Sequence, residues 1–121
     1  MLTKICRVGR DAELRYTPSQ KAVTNIVLAY DVGFGEQKRT QWVEATLWGK
    51  RAESMTQYLT KGKEVLLIGD DVETELFQKQ DQSYGVKLKC VVVNIEFTNG
   101  NSTQQPSKQQ QYADQYSYPN Q

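Results

Sequence analysis

Two tryptophans in one strand-like stretch are the side chains of this chain that stand out chemically. Trp42 and Trp48 lie in QWVEATLWGK, residues 41–50. Read with a period of two, one face of the stretch is apolar and consists of Val43, Ala45 and Leu47. Both indoles fall on the other face, beside a carboxylate and a hydroxyl, where a domain normally meets water. Either these rings form a functional surface, or a second sheet layer, a helix or a partner subunit covers them.

Residues suited to catalysis are scarce. Histidine is absent, which removes the commonest general base, the commonest zinc ligand and any Ser-His or Cys-His nucleophile pair. The chain has no glycine-rich phosphate loop. The acidic run of Asp70, Asp71, Glu73 and Glu75 has a strand-like setting, which favours a solvated edge over a metal site. We therefore expect no catalytic residues, no metal site, no cofactor and no enzymatic activity.

The composition is that of one globular domain. The chain has 121 residues, of which 38% are hydrophobic. No apolar run approaches the roughly 20 residues of a membrane span, and the N-terminal MLTKICRVGR lacks the long apolar segment of a signal peptide. We expect a soluble, cytoplasmic protein without membrane association, in which Cys6 and Cys90 are small buried side chains.

Charge is unevenly distributed along the chain. Residues 1–63 contain 11 Lys and Arg against 6 Asp and Glu, whereas residues 64–100 contain 3 against 7. Because the basic part also contains the tryptophan strand, the distribution points modestly to a polyanionic partner.

The composition changes sharply near residue 99. Residues 101–121 contain 7 Gln, 3 Tyr and 2 Pro, but no Leu, Ile, Val, Phe or Trp. Such a segment buries too little apolar surface to offset its ordering entropy. We expect a folded domain over residues 1–98 and a disordered Gln/Tyr-rich tail over residues 99–121.

Strands dominate the predicted domain. Apart from the tryptophan strand, apolar runs and turn signals predict strands at Leu2–Val8, Ala22–Val32, Glu64–Ile68, Val72–Phe77 and Val86–Phe97. One short helix fits between residues 51 and 60, because Ala52, Met55 and Leu59 fall on one face. This order is that of an all-β, five-stranded OB-fold barrel with one short helix after the third strand. An SH3-like or cold-shock barrel is the alternative, although neither needs that helix.

Several stretches resemble the bacterial-type single-stranded DNA-binding protein family. They are RVGRD (7–11), ELRYTP (13–18), KAVTN (21–25) and, most specifically, LWGKRAE (47–53). The resemblance covers roughly residues 2 to 97. It implies an OB fold, usually in a homotetramer, that wraps single-stranded DNA without strong sequence preference.

The resemblance also assigns DNA-binding residues. Its stacking aromatics match Phe34, Trp42, Trp48 and, if one extra residue follows Gly69, Phe77. Unpaired bases of any identity have flat faces that can stack on such rings. Because a strand rises about 3.3 Å per residue, Trp42 and Trp48 should lie roughly 20 Å apart. Six basic residues near them could neutralise phosphates: Arg10, Arg15, Lys38, Arg39, Lys50 and Arg51. The acidic run makes the last hairpin a surface that DNA would avoid.

One departure from the family concerns partners. Cellular members usually end in a short acidic, Pro-Phe tip that recruits replication and repair enzymes, whereas residues 118–121 read YPNQ. We therefore expect a phage- or plasmid-type protein that binds and protects single-stranded DNA in replication, recombination and repair. Recruitment of replication and repair enzymes is not predicted from this sequence. The alternatives are an OB-fold interaction module, such as a primosome accessory subunit, and an RNA-binding barrel.

Overall fold

Six strands and one short helix make up the part of the chain that the computed structural model describes, residues 1–98. In chain order, the elements are β1 (Leu2–Val8), β2 (Glu13–Tyr16), β3 (Ala22–Val32), β4 (Arg39–Trp48), α1 (Lys50–Met55), β5 (Glu64–Gln78) and β6 (Tyr84–Phe97). Short 3₁₀ turns occupy Gly35–Gln37 and Thr56–Tyr58. The predicted disordered tail, residues 99–121, lies outside the described residues.

Five of the strands close into a barrel. Neighbouring strands follow the order β1-β5-β6-β4-β3, and β1 also pairs with β3, which completes the ring. Every pairing in the ring is antiparallel except β4–β6, which is parallel. Because α1 follows the third barrel strand, β4, this architecture confirms the predicted OB fold.

The barrel interior is filled by side chains that alternate along each strand. On β4, the predicted core positions Val43, Ala45 and Leu47 are all buried. They belong to one cluster with Ile26 and Leu28 of β3. Fully burying an aliphatic side chain of this size stabilises the fold by about 1.5–3 kcal/mol. The same alternation directs the intervening residues of β4 outwards.

The helix is shorter than predicted. The sequence pattern predicts a helix over residues 51–60, whereas α1 ends at Met55 and continues as a 3₁₀ turn. Ala52 and Leu59 are nevertheless fully buried, and Met55 packs against the same core. The Thr56 hydroxyl donates to the Ala52 carbonyl at 2.6 Å. No helix within residues 1–98 is long and apolar enough to cross a membrane.

A short strand that the sequence pattern does not reveal, β2, lies beside the barrel. The charged stretch Glu13–Tyr16 pairs with the first residues of β3, where β3 extends past its pairing with β1. The Thr24 hydroxyl, on β3, donates to the Glu13 carbonyl at 2.8 Å and reinforces the pair. The partner strand, rather than any apolar pattern in β2 itself, makes this segment extended.

The two predicted strands over residues 64–68 and 72–77 form one continuous strand, β5. Between Asp70 and Glu73, β5 has one residue more than the paired part of β6. Asp71, within this interval, has a φ of 53°. Such a β-bulge absorbs the additional residue and bends the strand without ending it. Between Asn94 and Val92, β6 in turn has one residue more than β5, so the two irregularities offset each other along the hairpin.

Both cysteines are buried, as predicted. Cys6 and Cys90 are free thiols with 3% and 4% of their surface exposed. Burial of the Cys6 thiol is the main cause that raises its pKa to about 12, and the electrostatic effect of the neighbouring Cys90 adds to it. A Cβ atom at Gly69 would lie 2.6 Å from the Cys90 sulfur, so this glycine leaves the space that the thiol fills. The two thiols are packing residues and remain protonated near neutral pH.

Candidate nucleic-acid interface

The outward side of the barrel carries both tryptophans. We call this surface the outer face, and it includes the outward side chains of Asn25, Trp42, Glu44, Trp48, Phe77 and Lys87. In the β3–β4 pair, Trp42 lies opposite Ala29 and Trp48 lies opposite Val23. The two indoles therefore share one face of β4, as the period-two pattern predicts. Their exposure differs, at 8% for Trp42 and 46% for Trp48.

Trp42 is seated against its own barrel. Its ring forms a small buried cluster with Val27 and Ala29 of β3. A Cβ atom at Gly9 would lie 2.8 Å from the ring atom Cζ3, so the ring occupies space that only a glycine leaves open. Trp42 is therefore buried by residues of β3 and by the close approach of Gly9, the residue after β1. The sequence pattern does not distinguish Trp42 from Trp48 in this respect.

Trp48 lines an open cleft of about 480 Å³, which we call the Trp48 cleft. The turn before β3, the end of β4 and the start of α1 contribute its lining: Gln20, Lys21, Ala22, Trp48, Gly49, Lys50 and Glu53. The Tyr16 hydroxyl donates to the Glu53 carboxylate at 3.1 Å, and this hydrogen bond raises the pKa of Tyr16. The cleft combines an exposed indole with two ammonium groups and one carboxylate. The sequence pattern did not select Lys21.

The two predicted phosphate-binding residues at the start of α1 have different surroundings. Lys50 lines the Trp48 cleft and takes part in no ion pair within residues 1–98. Arg51 donates to the carbonyl of Ile95 at 3.0 Å and lies 3.6 Å from the Met55 sulfur. The guanidinium of Arg51 therefore links α1 to β6, whereas Lys50 lines the cleft and is exposed.

The β3–β4 loop presents an aromatic ring and two basic side chains. Phe34 is 85% exposed. The Lys38 ammonium lies 3.4 Å from the Asp31 carboxylate, and Arg39 begins β4 as an exposed residue. Gly33 has a φ of 80°, and a Cβ there would lie 2.9 Å from a backbone carbonyl oxygen of the loop. This glycine permits the tight turn that holds the exposed ring.

Arg10 and Arg15, both predicted from the sequence, line one smaller cleft of about 280 Å³. Its remaining lining residues are polar or acidic: Asp11, Glu13, Asn25 and Glu44. The Thr46 hydroxyl donates to the Asn25 side-chain oxygen at 3.2 Å across β3 and β4. The two guanidinium groups are thus brought together, but among three carboxylates. This part of the outer face has a mixed charge.

Phe77 lies on the β5–β6 hairpin at the edge of the outer face. It pairs with Gly85, and a Cβ there would lie 2.8 Å from its ring. The Lys87 ammonium lies 5.7 Å from the centre of the Phe77 ring, 2.7 Å from Glu44 and 3.7 Å from Glu75. Lys87 joins the hairpin to β4 and was missed, although its alternation with apolar residues along β6 marks it as outward-facing.

The acidic run of β5 is partly neutralised. Glu75 lies 3.7 Å from both Lys87 and Lys89, while Asp70, Asp71 and Glu73 are exposed. Within residues 1–98, no group of three or more Cys, Asp or Glu side chains has an arrangement that could hold a metal ion. The run is a solvated strand with cross-strand ion pairs.

Comparison with known proteins identifies one family. Residues 2–98 match the Single-strand binding protein family. The chain is 35% identical over 98 residues to Single-stranded DNA-binding protein 1 of Chlorobaculum tepidum, covering 71% of this chain and 57% of that protein. It is 30% identical over 115 residues to Single-stranded DNA-binding protein 3 of Streptococcus agalactiae, covering 90% and 83% of the two chains. The chain thus spans little more than half the length of the first of these proteins.

Proposed function

Since the chain belongs to the single-strand binding protein family, we propose that it binds single-stranded DNA without strong sequence preference and catalyses no reaction. The observation that carries this proposal is the Trp48 cleft. Trp48 is nearly half exposed on an open sheet face, next to the ammonium group of Lys50. An unpaired base can stack on such a ring, and the adjoining phosphate can be neutralised by the lysine.

Base stacking would use the aromatic residues of the outer face to different extents. Of the four predicted stacking residues, Phe34 and Trp48 are the most exposed, and Phe77 is half-buried under Lys87. Trp42, at 8% exposure, offers only a small part of its ring unless it moves away from β3. We therefore assign the larger stacking contribution to Trp48 and Phe34. Each stacked base contributes about 1–3 kcal/mol.

Phosphate contacts would come from the basic residues around these rings. Lys50 and Arg39 have exposed side chains, whereas Lys38 is ion-paired with Asp31. Arg10 and Arg15 share a cleft with carboxylates, which lowers the net attraction for a phosphate there. Arg51 holds the Ile95 carbonyl as well. Such contacts set affinity and its salt dependence but read no sequence.

The biological role that fits this binding is protection of exposed single strands during replication, recombination and repair. The mixed or acidic charge of the β5–β6 hairpin supports a DNA path that runs over β4, the β3–β4 loop and α1 rather than along the hairpin.

A fluorescence titration tests the binding proposal. Intrinsic tryptophan emission is followed while oligo(dT), a duplex of equal length or oligo(U) is added. We expect strong quenching by oligo(dT) and little by the duplex, because stacking requires unpaired bases. Equal affinity for duplex and single strand would refute the proposal, and tighter binding of oligo(U) than of oligo(dT) would favour the RNA-binding alternative.

The assembly that we propose is a homotetramer. The outward side of β1, β5 and β6 includes an apolar face, in which Ile5 lies opposite Leu66 and Ile68 is the next outward residue of β5. Ile5 and Val93 are 56% and 52% exposed, and Leu66 and Ile68 are half-buried. Adjacent apolar side chains on an open sheet face are typical of a surface that a second copy covers.

Light scattering after size-exclusion chromatography tests this assembly. We expect a mass about four times the 13.9 kDa of one chain. Ile5→Lys or Val93→Lys should lower the mass, because each places a charge in the apolar face. Tyr84→Lys, at an exposed position on the hairpin, serves as the matched control. A monomeric mass for the unaltered chain would contradict the proposal.

A further inference from the structure

The Trp48 cleft contains a second lysine, Lys21, that comes from a different element from Lys50. Lys21 ends the turn between β2 and β3, and Lys50 begins α1. The N–H of Gly49 donates to the carbonyl of Ala22 at 2.9 Å, which joins the residue after Lys21 to the residue before Lys50. The two ammonium-bearing segments are therefore tied together next to the exposed indole.

The turn that carries Lys21 is held by several hydrogen bonds. The N–H of Lys21 donates to the Thr17 hydroxyl at 3.1 Å, and the N–H of Thr17 donates to the Lys21 carbonyl at 2.9 Å. The N–H of Gln20 donates to the Thr17 carbonyl at 2.8 Å. The backbone of Lys21 is thus fixed beside the cleft, and only its side chain has to order when a ligand binds.

The charges in the cleft favour an anion. Within residues 1–98, neither Lys21 nor Lys50 takes part in an ion pair. The one carboxylate of the lining, Glu53, accepts a hydrogen bond from Tyr16. The cleft lining therefore has two lysines without ion pairs and a single carboxylate, which already accepts a hydrogen bond, so its net charge is positive. By contrast, Lys38 on the β3–β4 loop has Asp31 at 3.4 Å.

We propose that Lys21 and Lys50 together hold the backbone phosphates on either side of one nucleotide whose base stacks on Trp48. This assignment rests on the proposed binding of single-stranded DNA and adds a phosphate-binding residue, Lys21, to it. The cleft volume of about 480 Å³ lies within the range of about 300–1,000 Å³ typical of small-ligand sites, which suits a single nucleotide.

Salt titration of oligo(dT) binding tests the role of Lys21. One phosphate contact on a single strand contributes about 0.7 to the slope of log affinity against log salt. Lys21→Ala should lower the magnitude of that slope by about 0.7. When salt is raised from about 50 to 200 mM, the fold-loss of affinity should therefore be about 2.5 times smaller for the variant than for the unaltered protein. Lys21→Arg should retain the slope of the unaltered protein.

Lys63→Ala is the matched control, since it removes the same charge outside the cleft. The Lys63 ammonium lies 6.0 Å from the centre of the Phe97 ring. We expect the salt slope of Lys63→Ala to equal that of the unaltered protein. If the unaltered protein binds oligo(dT) but Lys21→Ala keeps the full slope, or Lys63→Ala loses as much, the inference about Lys21 is wrong and the proposed function stands. If the unaltered protein does not bind single strands, the proposed function itself fails.

Discussion

Replacing Trp48 with alanine, and separately Trp42 with alanine, distinguishes a binding surface from a packing residue on the same strand face. A largely buried tryptophan removes roughly 200 Å² from water, so Trp42→Ala should cost on the order of 3–5 kcal/mol of folding free energy. Trp48 is 46% exposed and buries about half as much, roughly 100 Å², so its truncation should cost on the order of 2–3 kcal/mol at about 25 cal/mol per Å². For DNA binding, the expected order is reversed.

Affinity for oligo(dT) and stability towards urea are measured on both variants. Trp48→Ala should weaken binding by about 1–3 kcal/mol, or roughly 5- to 140-fold, while remaining folded at low denaturant concentration. Trp42→Ala should show the larger fall in unfolding free energy and the smaller fall in affinity per folded molecule. The reasoning is wrong if folded Trp48→Ala binds as tightly as the unaltered protein, or if Trp42→Ala is the more stable of the two variants.

Three further outcomes follow from other contacts. Because burial raises the pKa of Cys6 from 9.0 to about 12, the folded state keeps its proton while the unfolded state loses it. The unfolding free energy should therefore fall between pH 9 and 12 by up to about 1.4 kcal/mol per pH unit, and urea titrations of Cys6→Ala should lack that part of the decline. Gly69→Ala should destabilise the barrel by about 1–3 kcal/mol, since its Cβ would lie 2.6 Å from the Cys90 sulfur. Adding Cys90→Ala should recover part of this loss, and strictly additive costs in the double variant would argue against the clash. Gln20 has a φ of 71°, so Gln20→Gly should raise stability by up to about 1 kcal/mol, and a lower melting temperature would contradict this.

The barrel and the faces of its strands were predictable because they depend on local alternation. Val43, Ala45 and Leu47 are separated by the polar residues Glu44 and Thr46, and a strand with that pattern has one way to bury its apolar side. The helix after β4 was predictable for the same reason, because Ala52 and Met55 both pack against the core. Its early end at Met55 was not, since the 3₁₀ turn that follows depends on local geometry.

The difference between the two indoles could not be predicted from β4. Trp42 is covered because residue 9, on a distant part of the chain, lacks a Cβ and because Val27 and Ala29 lie beside it. The role of Lys21 was also hidden, since a lysine in a turn has no periodic pattern and its neighbour in the cleft, Lys50, is 29 positions away. Both features arise from pairing between strands: the β3–β4 register brings Lys21 next to Lys50, and the N–H of Gly9, which donates to the Val27 carbonyl, places residue 9 against Trp42.

The parallel β4–β6 pairing has a consequence for how this domain folds. The β3–β4 and β5–β6 hairpins join neighbouring segments, whereas Val43 pairs with Leu88, 45 positions later. The β1–β5 pairing is also long-range, since Cys6 pairs with Val65. Because long loops are costly to close, we expect formation of the β4–β6 and β1–β5 pairings to limit the folding rate, with a time constant on the order of milliseconds to seconds in stopped-flow refolding. Completion of folding within microseconds would contradict that order of events. Until β4 and β6 pair, Trp48 and Lys87 belong to separate hairpins, so the part of the outer face that joins Glu44 to Lys87 is assembled only when the two hairpins meet.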